Sequence, residues 1–344
     1  MKALVLTGYK RLEYMEVATP TIRKSDEVLI RIAASAICGS DIHGYDGSTG
    51  RRQPPVIMGH EASGVVEEIG NEVTKVSVGQ RVTFDSTIWC GECRFCRDGR
   101  VNLCVNRRVL GVSCDDYRQD GTFAEYVVVP QHIIFPIADE VSFDEAALTE
   151  PASVAAHALR ITPVRLNDSI AIVGAGLIGL LAIQMAKTRT AGAVVALDTD
   201  ENRRDIAVEF GADAAFAPED PDLSDRIREV TGISGCSRVI EAVGATAPVR
   251  TAVSIVENGG SVTLIGNVSP SIDLPLQQIV TREIALYGSC AIAGEYPLVL
   301  DMMARKKIDV KPLISITDTL ENGPKWFDIL YSRKQPLLKV VLKP

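Results

Sequence analysis

Two patterns of hydrophobic and polar positions divide the chain near residue 155. In the first part, short apolar runs at 27–32, 64–70, 80–84 and 123–129 are separated by turn residues such as Gly70-Asn71. Short strands with regular turn signals are typical of a barrel-like or sandwich β domain. The first part of the chain is therefore predicted to be β-rich.

After residue 155, apolar segments of strand length alternate with helix-like segments. The predicted strands are 169–173, 193–197, 214–216, 238–241, 261–265 and 284–288, and the predicted helices are 180–187, 202–210, 222–231 and 249–256. This alternation predicts a doubly wound α/β fold with a parallel sheet. A strand at 337–342 is expected to rejoin the first domain, because chain ends often pack together.

Length and charge narrow the possible functions. A chain of 344 residues is long enough for two domains. Its 36 basic and 44 acidic residues give a net charge of −8, which argues against a general electrostatic attraction to nucleic acid or to an anionic membrane. No apolar run reaches the length of about 18 residues that a membrane span needs. We therefore expect a cytoplasmic protein with no nucleic-acid or membrane partner.

Four cysteines fall within 15 positions. Their spacing is C-x2-C-x2-C-x7-C, and they are Cys90, Cys93, Cys96 and Cys104. Four thiolates can close a tetrahedron around one zinc without an open position, which predicts a structural zinc that orders a loop. A zinc-ribbon nucleic-acid module is the alternative, because arginines lie nearby at 94, 97, 100, 107 and 108. The negative net charge favours a solvated loop face instead.

A second candidate metal site has mixed ligand types. Cys38 and His60 are predicted ligands, and Glu61 and Glu150 compete for the remaining protein position. Three protein ligands with an open fourth position are typical of catalytic zinc. The competing interpretation makes Cys38 a small buried hydrophobic residue and His60 an ordinary loop histidine.

The pattern G-x-G-x-x-G follows the strand at 169–173 and opens the next helix. It comprises Gly174, Gly176, Leu177, Ile178 and Gly179, and Asp198 ends the following strand. Glycines let the backbone approach a pyrophosphate, the helix N-terminus favours its charge, and an acid can accept hydrogen bonds from ribose hydroxyls. This context predicts a dinucleotide site.

These motifs, in this order, carry a family resemblance. The chain resembles the zinc-containing medium-chain alcohol dehydrogenases over nearly its full length, and most closely their polyol branch of sorbitol, galactitol-phosphate and threonine dehydrogenases. The branch rests on Glu150 in Thr149-Glu150-Pro151, where alcohol dehydrogenases outside it carry Cys. The resemblance implies a GroES-like catalytic domain at 1–153 and 290–344 and a Rossmann NAD-binding domain at 154–289.

The resemblance also implies roles around the catalytic zinc. Glu61 resembles a ligand of sorbitol dehydrogenase, and Glu150 matches a carboxylate that holds the zinc-bound water or joins the metal. Asp41 would fix the tautomer of His60. Ser40 would take the proton of the substrate hydroxyl and His43 would relay it outward. The alternatives are a turn-capping role for Ser40 and Asp41 and a solvated surface position for His43.

For the cofactor, the resemblance implies that Asp198 binds the adenosine ribose and that Arg203 packs on the adenine. A carboxylate at Asp198 would repel the 2′-phosphate of NADP, so we expect NAD. The expected activity is hydride transfer between a secondary alcohol, such as a polyol, sugar or sugar derivative, and NAD. A homodimer or homotetramer is expected from the family. The alternative activity is a dehydrogenase of a non-sugar substrate such as threonine or a simple secondary alcohol, and the full set of candidate zinc ligands argues against a non-catalytic relative.

The sequence departs from the polyol branch in two places. The stretch 288–293 lacks the Arg-Tyr pair with which polyol enzymes grip substrate hydroxyls. The loop 113–120 is longer than usual and carries Arg118, which we expect to supply substrate contacts instead. The alternative is a solvated surface insertion in which Arg118 pairs with Asp115 or Asp116. Outside the motifs, Cys236 and Cys290 are interpreted as packing residues, and His132 and His157 as structural histidines.

Overall fold

The computed structural model describes the whole chain, Met1–Pro344. It forms two compact units, one of Met1–Glu150 together with Ile292–Pro344 and one of Pro151–Ala291. Each unit has its own hydrophobic core. The α/β fold class predicted from the hydrophobic pattern, a β-rich domain with a parallel-sheet domain, is confirmed.

The first unit begins with twelve strands and three short helices. The strands are β1 (Lys2–Gly8), β2 (Arg11–Glu16), β3 (Glu27–Ala36), β4 (Val56–Ile57), β5 (Glu61–Ile69), β6 (Arg81–Phe84), β7 (Thr87–Ile88), β8 (Arg108–Val109), β9 (Val112–Ser113), β10 (Arg118–Gln119), β11 (Tyr126–Pro130) and β12 (Ile134–Pro136). The helices are α1 (Gly39–Gly44), α2 (Arg94–Arg97) and α3 (Phe143–Ala147), and α4 (Thr149–Ile161) follows them.

The second unit alternates strands with helices around a six-stranded parallel sheet. Its elements are β13 (Ile170–Val173), α5 (Leu177–Arg189), β14 (Val194–Leu197), α6 (Glu201–Glu209), β15 (Ala214–Phe216), α7 (Leu223–Thr231), β16 (Cys236–Glu241), α8 (Thr246–Ile255), β17 (Val256–Leu264), α9 (Leu276–Thr281) and β18 (Ala285–Gly288). The strand order is β15-β14-β13-β16-β17-β18. β13 and β14 are buried throughout and consist only of apolar residues, as expected for strands of a covered parallel sheet.

The chain then returns to the first unit through α10 (Tyr296–Ala304), β19 (Ile314–Thr319), α11 (Gly323–Tyr331) and β20 (Lys339–Lys343). The main sheet of this unit has the order β12-β6-β5-β3-β20-β19, with β11 also paired to β3. β20 pairs antiparallel with β3, Val341 lying opposite Ala36. The prediction that the last strand rejoins the first domain is confirmed.

Two strand boundaries differ from the sequence prediction for a physical reason. Residues 123–125 were expected within a strand, but β11 starts at Tyr126, because Phe123 exchanges backbone hydrogen bonds with Leu4 and Met58 outside the main sheet. β3 continues beyond residue 32 to Ala36, because β5 and β20 both pair with its last residues. This longer strand carries the chain directly to Cys38.

Candidate active site and metal centres

Sheet register brings the mixed ligand set together. In the β3–β5 pairing Ala36 lies opposite Glu61, so Cys38, two residues beyond, and His60, one residue before, reach the same end of the sheet. Cys38 is also the N-cap of α1, and its sulfur accepts a hydrogen bond from the Ser40 N–H at 3.4 Å. The ligand atoms of Cys38, His60 and Glu61 all lie within 4.8 Å of one another.

These three side chains fit a zinc ion. Thiolate, imidazole and carboxylate are all accepted zinc ligands. The Oε1 atom of Glu61 is buried and has no hydrogen-bond partner, and a buried acceptor without a partner is destabilising unless a cation or donor reaches it. A bound metal would remove that defect. Glu150, the other candidate for the third position, lies outside this close group.

A buried ion network surrounds His60. Asp41 Oδ1 lies 3.2 Å from Arg52 Nη2 and 3.4 Å from His60 Nδ1. Burial disfavours the charged form of Asp41, but the neighbouring His60 and Arg52 outweigh it and lower the pKa of this carboxyl well below its usual range. Because Nδ1 faces Asp41, Nε2 is the nitrogen left for a metal.

A second buried ion pair fixes Glu61. Its Oε2 lies 2.7 Å from Nζ of Lys339 in β20, which also donates to the Ile37 carbonyl at 3.0 Å. Both side chains are almost fully buried: that of Glu61 is 1% exposed and that of Lys339 is 2% exposed. Burial alone would lower the pKa of Lys339, but Glu61 and then Cys38 reverse this and raise it. The lysine therefore stays charged beside the ligand set.

Glu150 is the second residue of α4 and has other acidic residues nearby. Its Oε1 accepts a hydrogen bond from Ser86 Oγ at 3.1 Å, and burial raises its pKa to about 7. Burial likewise raises the pKa of Asp85 to about 7, against the opposing effect of the Thr87 N–H that it accepts at 2.8 Å. Two neighbouring carboxyl groups thus have pKa values of about 7, and one of them, Glu150, interacts electrostatically with His60 and Glu61.

The proposed proton-relay residues lie on α1. Ser40 Oγ is 3.4 Å from His60 Nε2. Ser40 and His43 are both exposed and lie three residues apart, a spacing that puts two side chains on one face of a helix. Asp41 does cap the same turn, since its Oδ2 accepts the Cys38 N–H at 3.2 Å. It therefore combines the capping role with its contact to His60.

The four cysteines form a separate site. The Cys93–Cys96 and Cys90–Cys104 sulfurs are 3.5 Å apart and the Cys90–Cys96 sulfurs 4.0 Å. Zinc–sulfur bonds of about 2.3 Å place tetrahedral ligands roughly 3.8 Å from one another. The sulfur spacing therefore fits one zinc with all four positions filled.

The glycine-rich turn of the second unit has the geometry of a phosphate cradle. Gly174 has a φ of +97°, and a Cβ at Gly179 would collide with the Gly174 carbonyl, so both positions need glycine. α5 starts at Leu177 with Gly176 as its N-cap and no side-chain cap. Its first N–H groups are thus left for an anion.

Asp198 follows β14 and is anchored by this turn. Its Oδ2 accepts the Ala175 N–H at 2.8 Å and its Oδ1 accepts the Asp200 N–H at 3.0 Å. Arg203 Nη1 lies 3.9 Å from Asp198 Oδ2, and the arginine side chain is 47% exposed. Asp198 directly follows β14, and Arg203 lies in the first turn of α6.

One expectation about other residues is wrong and another stays a prediction. Arg118 lies in a groove with Met1, Val17 and Tyr126 that contains none of the predicted metal ligands, and a substrate contact from it remains a prediction. Cys290 is exposed, so its interpretation as a packing residue is wrong, whereas Cys236 is fully buried as expected. Cys290 lies just after β18, the last strand of the six-stranded parallel sheet.

Comparison with known proteins identifies the family. The alcohol dehydrogenase GroES-like domain matches residues 24–139, and the zinc-binding dehydrogenase domain matches residues 178–305. Sorbitol dehydrogenase from Bacillus subtilis (strain 168) is 33% identical over 348 residues, covering 100% of this chain and 97% of that protein. This chain belongs to the zinc-binding alcohol dehydrogenase family.

Solved structures of zinc-binding alcohol dehydrogenases extend the match. Galactitol-1-phosphate dehydrogenase from Escherichia coli is 27% identical with a TM-score of 0.91, and all of both chains is covered. A protein from Sinorhizobium meliloti 1021 solved with bound NADP is 30% identical with a TM-score of 0.87, covering 100% of this chain and 99% of that one. The protein is therefore an alcohol oxidoreductase that uses zinc and a nicotinamide dinucleotide. None of its helices combines the length and apolar character of a membrane span.

Sequence reasoning missed three buried charged residues. Arg52 and Lys339 contact Asp41 and Glu61, and Glu241 accepts the N–H groups of Val243 and Gly244 at 2.8 Å. Lys339 could have been noticed as a lysine inside the apolar run 337–342. Nothing in the neighbouring sequence distinguishes Arg52 from its exposed neighbour Arg51.

Proposed function

We propose that the protein is an NAD-dependent zinc dehydrogenase that oxidises a secondary hydroxyl of a polyol, sugar or sugar derivative. The observation that carries the proposal is the Cys38/His60/Glu61 group, in which His60 and Glu61 are buried and one Glu61 oxygen has no hydrogen-bond partner. A non-catalytic protein would have no need of such a site. The similarity to sorbitol and galactitol-1-phosphate dehydrogenases supports the substrate class.

In this proposal Cys38, His60 and Glu61 hold the catalytic zinc, and the domain at 1–153 and 290–344 supplies the chemistry. When bound, zinc polarises the alcohol oxygen and lowers its pKa, so that hydride can leave the carbinol carbon for the nicotinamide. Asp41 holds His60 in the tautomer that leaves Nε2 free. Ser40 accepts the hydroxyl proton, and the exposed His43 passes it to solvent.

Glu150 has a supporting role near the zinc. Its partial burial and its pKa near 7 suit a carboxyl group that holds water or a proton beside the metal. Because it lies outside the close ligand group, Glu61 is the better candidate for the third ligand. Cys90, Cys93, Cys96 and Cys104 would hold the second, structural zinc.

NAD is proposed as the preferred dinucleotide, bound by the domain at 154–289. Gly174, Gly176, Leu177, Ile178 and Gly179 would approach the pyrophosphate, Asp198 the adenosine ribose, and Arg203 the adenine. The buried carboxylate of Asp198 would repel the extra phosphate of NADP by about 1–4 kcal/mol. Comparable kcat/KM for both dinucleotides would contradict this preference. A preference that Asp198→Ala shifts toward NADP would support it.

The substrate is best identified by a panel assay. Polyols, sugars, sugar phosphates, threonine and simple secondary alcohols would be compared by NADH absorbance. We expect the polyol and sugar group to react best. Threonine or a simple alcohol is the second candidate, because the chain at 288–293 lacks the Arg-Tyr pair of the polyol enzymes. Turnover confined to those substrates would replace the polyol assignment.

A homodimer or homotetramer in the cytoplasm is also proposed. Leu276 and Val280 of α9 are 69% and 65% exposed, and Tyr287 lies on β18, the edge strand of the parallel sheet. Exposed apolar side chains beside an unpaired edge strand favour association with another chain. Light scattering that gives the monomer mass of 37.1 kDa would rule this out.

A further inference from the structure

Arg52 is a buried cation that the proposed chemistry does not use. Its side chain is 5% exposed, and its Nη2 lies 3.2 Å from Asp41 Oδ1. Its Nη1 donates to the Arg51 carbonyl at 3.1 Å. The aliphatic part packs against Gly44 of α1, where a Cβ would collide with it. Charge and packing together hold this guanidinium in one position.

Asp41 connects Arg52 to two of the proposed zinc ligands. Its Oδ2 accepts the backbone N–H of Cys38 at 3.2 Å, and its Oδ1, which faces Arg52, is 3.4 Å from His60 Nδ1. A change in the position of Asp41 would therefore move the Cys38 backbone and the His60 ring together. Arg52 is the cation that contacts this carboxylate, and it does so through Oδ1, the same oxygen that faces His60.

We propose that Arg52 is a positioning residue that holds the zinc ligands Cys38 and His60 in place through Asp41. The proposal rests on the metal-ligand assignment made above. The planar guanidinium presents several donors in a fixed fork, whereas a lysine ammonium is a single flexible point charge. Here one arm of the fork, Nη2, donates to Asp41 Oδ1 while Nη1 donates to the Arg51 carbonyl, so Arg52 gives Asp41 a directed hydrogen bond as well as a neighbouring positive charge.

The hairpin formed by β9 and β10 holds Arg52 in turn. Gln53 N–H donates to the Ser113 carbonyl at 2.9 Å, and Ser113 N–H donates to the Arg51 carbonyl at 3.2 Å. The Gln53 side-chain amide donates to Asp115 Oδ1 at 2.8 Å. The residues on either side of Arg52, Arg51 and Gln53, are thus both hydrogen-bonded to this hairpin. The lengthened loop 113–120 acts on the active site by fixing Arg52.

The test compares Arg52→Met with Arg51→Met in the fully zinc-loaded protein. Arg51 is exposed and adjacent, so its variant controls for loss of a positive charge in this segment. The rate of zinc transfer to a chromogenic chelator would be measured, with the zinc of the four-cysteine site as internal reference. The visible spectrum of protein with cobalt in the mixed site would report ligand geometry.

We expect Arg52→Met to release the mixed-site metal about tenfold faster, because partners behind metal ligands typically contribute 10–100-fold to affinity. The cobalt spectrum should change, Arg52→Lys should restore part of the retention, and Arg51→Met should match wild type. A merely structural role would lower the melting temperature but leave release rate and spectrum unchanged. That result would overturn the proposal.

A second variant keeps the proposal testable should Arg52→Met fail to fold. Asp115→Ala removes the side-chain contact to Gln53 at an exposed position, and we expect zinc release from the mixed site to rise about two- to threefold. Unchanged release in Asp115→Ala and in Arg52→Lys would refute the proposal. A wild-type protein that binds zinc only at the four-cysteine site would instead contradict the metal-ligand assignment itself.

Discussion

The two candidate zinc sites of the first unit are built in different ways. The four cysteines lie on one loop, within 15 positions, and three of them are partly exposed. The mixed site takes Cys38 from the end of β3, Glu61 from the start of β5 and a supporting Lys339 from β20. The closed structural site is therefore encoded by the spacing of neighbouring cysteines. The open site depends instead on the register of strands that are far apart in sequence.

Their electrostatic surroundings differ as well. The arginines of the cysteine loop at 94, 97 and 100 are exposed to solvent. The mixed site instead has two buried cations, each in contact with one carboxylate, Arg52 with Asp41 and Lys339 with Glu61. Buried charges need partners, because desolvation of an unpaired ion costs several kcal/mol. The catalytic candidate therefore depends on balanced charge, and the structural candidate on four thiolates.

The largest effect should come from Cys38→Ala. We expect turnover to fall at least about a thousandfold, because loss of the metal removes several kcal/mol of transition-state stabilisation. One of two zinc ions should be lost while the circular dichroism spectrum stays that of the folded protein. Metal analysis that finds a single zinc in the fully loaded wild type would contradict the two-site assignment.

Cys96→Ala should affect stability instead. Structural zinc contributes its binding free energy to folding, so we expect a loss of about 4 kcal/mol or more in the free energy of unfolding. Urea denaturation followed by fluorescence measures it. Any remaining folded protein should keep the mixed-site zinc. Equal stability of variant and wild type would mean that the loop needs no metal.

Lys339→Met should lower the free energy of unfolding by about 3–5 kcal/mol, because Glu61 would be left buried without its partner. The matched control is Lys343→Met on the same strand, whose partner Asp144 is 3.0 Å away and whose own side chain is 47% exposed. An exposed pair contributes only about 0–1 kcal/mol. Similar losses of unfolding free energy in both variants would show that the buried Lys339–Glu61 pair contributes no more to stability than the exposed pair.

The smallest effect is expected from Arg97→Ala in the cysteine loop. Arg97 is exposed, and surface substitutions of this kind usually change stability by no more than about 0.5 kcal/mol. The variant and the wild type should both fail to bind a duplex oligonucleotide at moderate salt. Salt-sensitive binding that Arg97→Ala weakens would instead revive the zinc-ribbon interpretation of this loop.

Much of the fold could be predicted from the sequence because its signals are local. A strand, a G-x-G-x-x-G turn and a helix follow one another around Gly174, and this order predicted the parallel-sheet unit. The cysteine spacing predicted the closed zinc site. Cys38, His60 and Glu61 were recognisable through the family motifs. These signals depend only on residues that are close together in sequence.

The parts of the candidate site that could not be predicted from the sequence are ion pairs between residues far apart in the chain. Nothing near Glu61 in the sequence indicates that Lys339, which lies 278 positions away, will contact it. Arg52 is buried and Arg51 exposed because of pairing with the hairpin at Ser113, which no local pattern encodes. The loop 113–120 could be recognised in the sequence by its length. Which residues it contacts depends on the pairing of Ser113 with Arg52, and the sequence did not predict that pairing.

The pairing of β20 with β3 affects how the enzyme matures during synthesis. Lys339 is added to the growing chain about 300 residues after Cys38. At roughly 5–20 residues per second, this interval lasts about 15–60 s. Throughout that time Glu61 does not have Lys339 beside it, so the candidate zinc site of the nascent chain is incomplete. Proteolytic removal of β20 would return the folded protein to the same condition.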